Sequence, residues 1–180
     1  MTSLVLKSVQ CVGLCASLTL LATAATAQQQ STNRVAAKTN WSVFVEDNPT
    51  ECWSVSAPEE TVNTKDGRVV AVNRDDILLL VSNRPGSNVS HEISFTGGYT
   101  FQSGSTVNVN IGGSEFELFT DGSWAWPASP SDDAKIVTSM QRGANAILTA
   151  RSSRGTVTKD TFSLLGFTAA LEEADKRCSR

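Results

Sequence analysis

The chain has 180 residues, with 15 Lys and Arg against 18 Asp and Glu, one His and a net charge of −3. That length suits one domain with a core large enough to fold unaided, and the acidic balance argues against general nucleic-acid binding. After the N-terminal segment no apolar run approaches the roughly 20 residues of a membrane helix, the longest being Ile77 to Val81.

The first 27 residues hold Lys7, an apolar run from Val9 to Ala22, and Ala25-Thr26-Ala27 before Gln28-Gln29-Gln30. This is the pattern of a secretory signal peptide cleaved after Ala27. Lipidation at Cys15 fits poorly, because Val12-Gly13-Leu14 is the wrong approach and more apolar residues follow. The expected address is the periplasm, with outer-membrane association or secretion as variants and peripheral membrane attachment allowed. Export removes Cys11 and Cys15 and leaves Cys52 and Cys178 in an oxidising compartment, which predicts one structural disulfide. A redox pair wants closely spaced cysteines. A zinc site wants four good ligands, and one His with two Cys falls short.

Residues 28–40 are polar, without hydrophobic period, and read as a flexible lead-in. From Trp41 to residue 180 short β-type runs recur between turn residues, which predicts a single antiparallel β-sandwich. Trp41, Val43 and Val45 share one parity, and a short run from Cys52 ends before Pro58. Arg68 to Asn73 and Ile77 to Asn83 flank Arg74-Asp75-Asp76, and the continuous apolar run Ile77 to Val81 predicts a strand buried on both faces. Val89, His91, Ile93 and Phe95 share a face before Gly97-Gly98, and Val107, Val109 and Ile111 alternate with Asn108 and Asn110. Gly112-Gly113 and Asp121-Gly122 offer reversals, the second leading into Trp124-Ala125-Trp126, which Pro127 closes.

Two helices are predicted. Asp132-Asp133 ahead of Ile136, Val137 and Met140, with Gly143 beyond, marks a short inserted helix. Phe167, Ala170, Leu171, Ala174 and Cys178 form the apolar stripe of a C-terminal helix that carries Cys178 on its core side. Ala144 to Arg151 and Thr156 to Leu164 read as strands around the turn Ser152 to Gly155.

Catalytic equipment is sparse. The single histidine, His91, reads as a strand residue at the edge of the apolar face, and no nucleophile elbow accompanies it. The pairs Asp75-Asp76, Asp132-Asp133 and Glu172-Glu173 are explained by a turn, a helix start and a solvated helix face. No phosphate-binding, dinucleotide or calcium motif appears, so neither a cofactor nor a metal is expected. Trp124 and Trp126 share a strand face, either as core aromatics or as paired indoles for a partner or glycan. Arg151, Arg154 and Lys159 form either a solvated hairpin or a basic edge for an anionic lipid or polysaccharide.

The chain resembles the invasion-associated locus B family of exported bacterial proteins. The resemblance is carried by Trp41, Cys52-Trp53 before Pro58, Arg74-Asp75, Val81-Ser82 with Pro85-Gly86, and Phe95-Thr96-Gly97-Gly98-Tyr99. It continues through Ile111-Gly112-Gly113, Asp121-Gly122, Met140 with Gly143, Arg151 to Thr156, Asp160 to Leu164, Gly166 to Ala170 and Cys178, with Phe162 where the family would favour Tyr. The resemblance implies an envelope protein linked in pathogenic relatives to host-cell invasion, and a bond between the terminal cysteine and its early partner. The expected function is non-enzymatic binding of an envelope or host protein or glycan. The alternatives are an envelope hydrolase using His91 with Asp121 or Asp160, and a maintenance or chaperone-like factor.

Overall fold

Alternating polarity in short runs builds a mainly β chain, seen in a computed structural model that describes residues 33–48 and 50–179. The expected signal peptide lies outside the described residues. Among the described residues twelve strands form, in chain order: β1 (Arg34–Lys38), β2 (Trp41–Glu46), β3 (Glu51–Ser56), β4 (Glu60–Lys65), β5 (Arg68–Val69) and β6 (Leu78–Arg84). They continue as β7 (Val89–Thr96), β8 (Thr106–Ile111), β9 (Ser114–Asp121), β10 (Trp124–Trp126), β11 (Asn145–Arg151) and β12 (Val157–Ser163). Helix α1 (Pro130–Arg142) lies between β10 and β11, and α2 (Phe167–Cys178) closes the chain.

All strands join one antiparallel sheet in the order β1-β2-β3-β6-β7-β10-β9-β8-β11-β12-β4-β5. Five strand spacings separate β7 from β12, about 24 Å if the sheet were flat. The rings of Phe95 on β7 and Phe162 on β12 nevertheless meet edge to face with centroids 6.1 Å apart. The sheet therefore folds over on itself, and its halves face each other across a common core, as the predicted sandwich requires. Three-residue β10 pairs with β7 only through Trp124↔Thr96 and Ala125↔Phe95.

The inner face reads through the register: Val43 opposes Ser54, Ser54 opposes Val81, and Val81 opposes Ile93. Helix α2 covers part of this face, where Trp41 and Phe167 pack with centroids 4.8 Å apart and the buried Trp41 indole donates to the Ser163 carbonyl at 3.0 Å. Gly166 at the start of α2 has φ +92°, and a Cβ there would lie 2.0 Å from the Lys38 carbonyl oxygen. Only glycine lets the helix begin against the end of β1.

Cys52 and Cys178 are bonded, with Cα atoms 5.9 Å apart, which fastens the last turn of α2 to β3. Beside the bond β7 bulges, and His91 takes φ +56°, a conformation non-glycine residues rarely adopt. Asn83 holds the bulge. Its Oδ1 accepts from the His91 backbone N–H at 2.9 Å, and its Nδ2 donates to Asp175 Oδ1 at 2.9 Å. His91 Nε2 lies 2.8 Å from the same oxygen.

Helix α1 is capped by Ser129, whose hydroxyl accepts from the Asp132 backbone N–H. Asp133 is turned inward and accepts from the Ile93 backbone N–H at 2.8 Å, which joins α1 to β7. Burial raises its carboxyl above the usual range, and the Ile93 bond only partly opposes this.

Three sequence expectations need correction, and one strand had no expectation. Part of the supposed lead-in is strand β1, a charged-ended edge strand on β2. The polar run Glu60 to Lys65, to which the sequence assigned no element, is a strand because β12 supplies its partner. Arg68 to Asn73 is strand only at Arg68 and Val69, and the chain then crosses irregularly between the sheet halves. In β6 only alternate residues are buried, with Leu78 and Leu80 half-exposed on the outer face.

Breaking the disulfide by Cys52→Ser with Cys178→Ser is expected to lower the unfolding free energy by about 2–5 kcal/mol in denaturant titrations. For Asp133→Asn the sign follows from linkage. A carboxyl raised in the folded state adds stability below its ordinary pKa of 3.8, and that gain disappears as pH rises through the folded value. The amide keeps the Ile93 acceptor without burying a charge, so the stability of Asp133→Asn relative to the parent should rise from pH 3.5 to pH 7 in thermal melts.

Candidate functional site

At the end of the sandwich away from the disulfide, the segment crossing from β5 to β6 carries Arg74 between the sheet halves. Its Nε donates to the Gly97 carbonyl at 2.7 Å on the first half. Its Nη1 and Nη2 grip the two Asp160 oxygens of β12 at 2.7 and 2.6 Å, and Nη1 also reaches Asn63 Oδ1 on β4 at 3.2 Å. The guanidinium also lies over the Tyr99 ring, 5.1 Å from its centroid. Both charged side chains are withdrawn from water, at 5 % and 0 % exposure. Four of the five guanidinium N–H bonds thus have partners.

Local chemistry forces this arrangement. Gly98 has φ +71°, and a Cβ there would stand 2.4 Å from the Asp75 carbonyl oxygen. The close approach lets the Asp75 N–H donate to the Gly98 carbonyl at 3.0 Å. A Cβ at Gly97 would stand 2.9 Å from the Tyr99 ring, so the Gly-Gly pair makes room for both the Arg74 turn and the tyrosine. The Tyr99 and Thr158 hydroxyls share a hydrogen bond at 2.6 Å. Burial raises the Tyr99 hydroxyl, against the opposing Thr158 bond and Arg74 charge. Burial also holds the Asp160 carboxyl above the usual range, although Arg74 pulls it down.

Over this floor opens a cavity of about 360 Å³. Its walls are four turns brought to one end of the fold: residues 72–75, 98–100, the β9–β10 reversal at Ser123, and the β11–β12 reversal from Ser152 to Thr156. Backbone bonds hold the turns together, from Phe101 N–H to the Gly122 carbonyl and from Ser153 N–H to the Thr100 carbonyl, each 2.9 Å. Arg154 stands in the wall and makes no ion pair among the described residues.

Beside the cavity, β10 begins at Trp124. The buried residue of this strand is Ala125, while Trp124 and Trp126 face outward with ring centroids 6.4 Å apart and planes 25° from parallel. Phe119, opposite Trp126 on β9, is 52 % exposed and Trp124 is 37 % exposed, so three aromatic side chains meet solvent together. The indoles are therefore surface groups, and core packing does not explain them. Along β8 and β9 the same outer face is polar: Asn110 and Asn108 donate to Glu115, which holds its carboxyl below the usual range.

The basic residues separate in role. Arg151 and Lys159 are exposed diagonal neighbours on the outer face of β11 and β12, whereas Arg154 belongs to the cavity wall. The suggested carboxylate partners of His91 are also corrected. Asp160 is held by Arg74, and His91 bonds Asp175 on α2 at the other end of the β6–β7 hairpin. Sequence inspection missed Tyr99, Ser153, Thr156 and Phe119 as site residues. For Phe119 a signal existed, since it shares strand parity with Glu117 and Asp121 instead of with Leu118.

No family model matches the chain, no curated protein matches it, and no solved structure matches it.

Asp160→Ala leaves Arg74 buried without its counter-charge and should cost about 3–5 kcal/mol of stability by chemical denaturation. Ser153→Ala, at an exposed turn, should stay within about 0.5 kcal/mol of the parent in the same measurement.

Proposed function

We propose that the chain is an exported envelope protein of the invasion-associated locus B type that works by binding a partner, without catalysis. The observation that carries this reading is the cluster of Phe119, Trp124 and Trp126 on the outer face of the sheet. Folding does not require exposed indoles, whereas an interface gains from large, rigid aromatic side chains that lose little entropy on binding. The bonded Cys52–Cys178 pair is compatible with an oxidising compartment. Among the described residues no helix is long and apolar enough to cross a membrane, and no group of His, Cys, Asp and Glu is able to hold a metal ion. The partner is an envelope or host protein or glycan, and the periplasm is the proposed address. A link to host-cell invasion comes only from the family resemblance.

A hydrolase is the second reading, favoured by the contact of His91 with Asp175, a base held by an acid. No serine, threonine or cysteine side chain bonds the His91 ring among the described residues, so the pair lacks a nucleophile of the usual kind.

Trp124→Ala with Trp126→Ala should abolish recovery of the cross-linked partner from intact envelope or host cells. The same pair should change the unfolding free energy by about 0.5 kcal/mol or less per site. Undiminished capture by this double variant would remove the aromatic face from the proposal. Loss of an envelope hydrolytic activity in a folded His91→Ala variant would favour the enzyme.

A further inference from the structure

The cavity at the loop end of the sandwich has the chemistry of a ligand site, and its lining selects among ligand classes. Its roughly 360 Å³ lies near the lower end of the range for small-molecule pockets, about 300–1,000 Å³. An apolar ligand would find little to contact, since among the described residues Val72 and Tyr99 are the only large apolar or aromatic side chains in the wall. Among the described residues, a phosphate or other compact anion would find one cation without an ion pair, Arg154, with Asp75 lining the same cavity and offsetting its charge. Arg74 contributes no free charge, because Asp160 neutralises it and four of its five N–H bonds are already used.

Unused hydrogen-bonding capacity remains. Thr100, Ser123, Ser153 and Thr156 line the cavity, and among the described residues none of their side-chain hydroxyls has a hydrogen-bond partner. Thr156 is 7 % exposed as a residue, but its hydroxyl is open to solvent, since Ser54 Oγ is the one buried side-chain polar atom without a partner among the described residues. Hydroxyls that both donate and accept, a carboxylate and a guanidinium suited to neighbouring hydroxyl pairs, and a tyrosine ring in the wall together match a polyhydroxylated neutral ring. The wall residue Ser123 leads directly into Trp124, the first indole of the exposed aromatic strand.

We propose that this cavity is a saccharide-binding pocket that holds one sugar unit of a glycan, with neighbouring units running over Trp124 toward Trp126. This deepens the partner-binding reading and rests on it, by naming the partner as a glycan. The cavity supplies specificity through hydrogen bonds to hydroxyls, and the indoles supply contact area by stacking against sugar faces.

The test is binding of the purified full chain to an array of bacterial and mammalian oligosaccharides, followed by titration of the strongest binder into ¹⁵N-labelled protein, with inorganic phosphate as the anion control. The expected result is saturable shifts at the amides of Tyr99, Ser123, Ser153 and Thr156, and none with phosphate. Ser153→Trp, which places an indole at the cavity mouth, should weaken the saccharide at least tenfold. The mapping on the parent protein keeps the test decisive should that variant fold poorly. Absence of any saccharide binder, equal shifts with phosphate, or full affinity in a folded Ser153→Trp variant would overturn the assignment. Shifts confined to Phe119, Trp124 and Trp126 would overturn the cavity and leave the aromatic interface standing. Cavity shifts with unchanged capture by the Trp124→Ala, Trp126→Ala variant would do the reverse.

Discussion

The buried contact between Arg74 and Asp160 is the constraint around which the loop end of this protein is arranged. A twelve-strand sheet that folds over on itself leaves an open side, and the chain must cross that side between β5 and β6. Arg74 sits on the crossing and bonds the Gly97 carbonyl of one half and Asp160 and Asn63 of the other. Burying such a pair is costly unless the geometry is close and the remaining N–H groups are satisfied. The geometry is close and four of the five guanidinium N–H bonds are satisfied, and the Gly-Gly turn, the tyrosine against the guanidinium and the Thr158 hydroxyl complete the cluster.

The two ends of the β6–β7 hairpin divide the work. At one end the disulfide, Asn83 and Asp175 fasten α2 and hold the bulge at His91. At the other, the Arg74 cluster braces four turns whose side chains line a polar cavity. A loop cluster on a braced sheet suits recognition, since the scaffold carries the ordering cost and the turns present the chemistry. The His91 bulge shows how a lone histidine can be structural: its backbone N–H and its ring both serve the junction between β7 and α2.

Much of the architecture was legible because local patterns were strong. The apolar stripe from Phe167 to Cys178 and the Asp132 to Gly143 helix signals mark both helices close to their observed ends. Alternation identifies β2, β8 and β11, since those strands bury one face only. Strands β1 and β4 were missed because polar edge strands carry no hydrophobic alternation and exist through their partners. The site was less visible. Asp160 reads as an ordinary polar strand residue, and only the folding of the sheet places it beneath a guanidinium from a segment 86 residues away. Trp124 and Trp126 show their shared face in sequence, but which side of the sheet that face occupies follows from burial of Ala125 against the core.

The sequence by itself determined the secondary-structure periods, the helix ends, the expected export signal and the pair of cysteines left to bond, because each depends on neighbours a few residues apart or on simple counting. Tertiary structure alone decided that both layers of the predicted sandwich would come from one sheet, that Arg74 would meet Asp160, and that the indoles would face solvent beside a hydroxyl-lined cavity. Those outcomes depend on long-range strand order and on how the sheet curves, which no local pattern encodes.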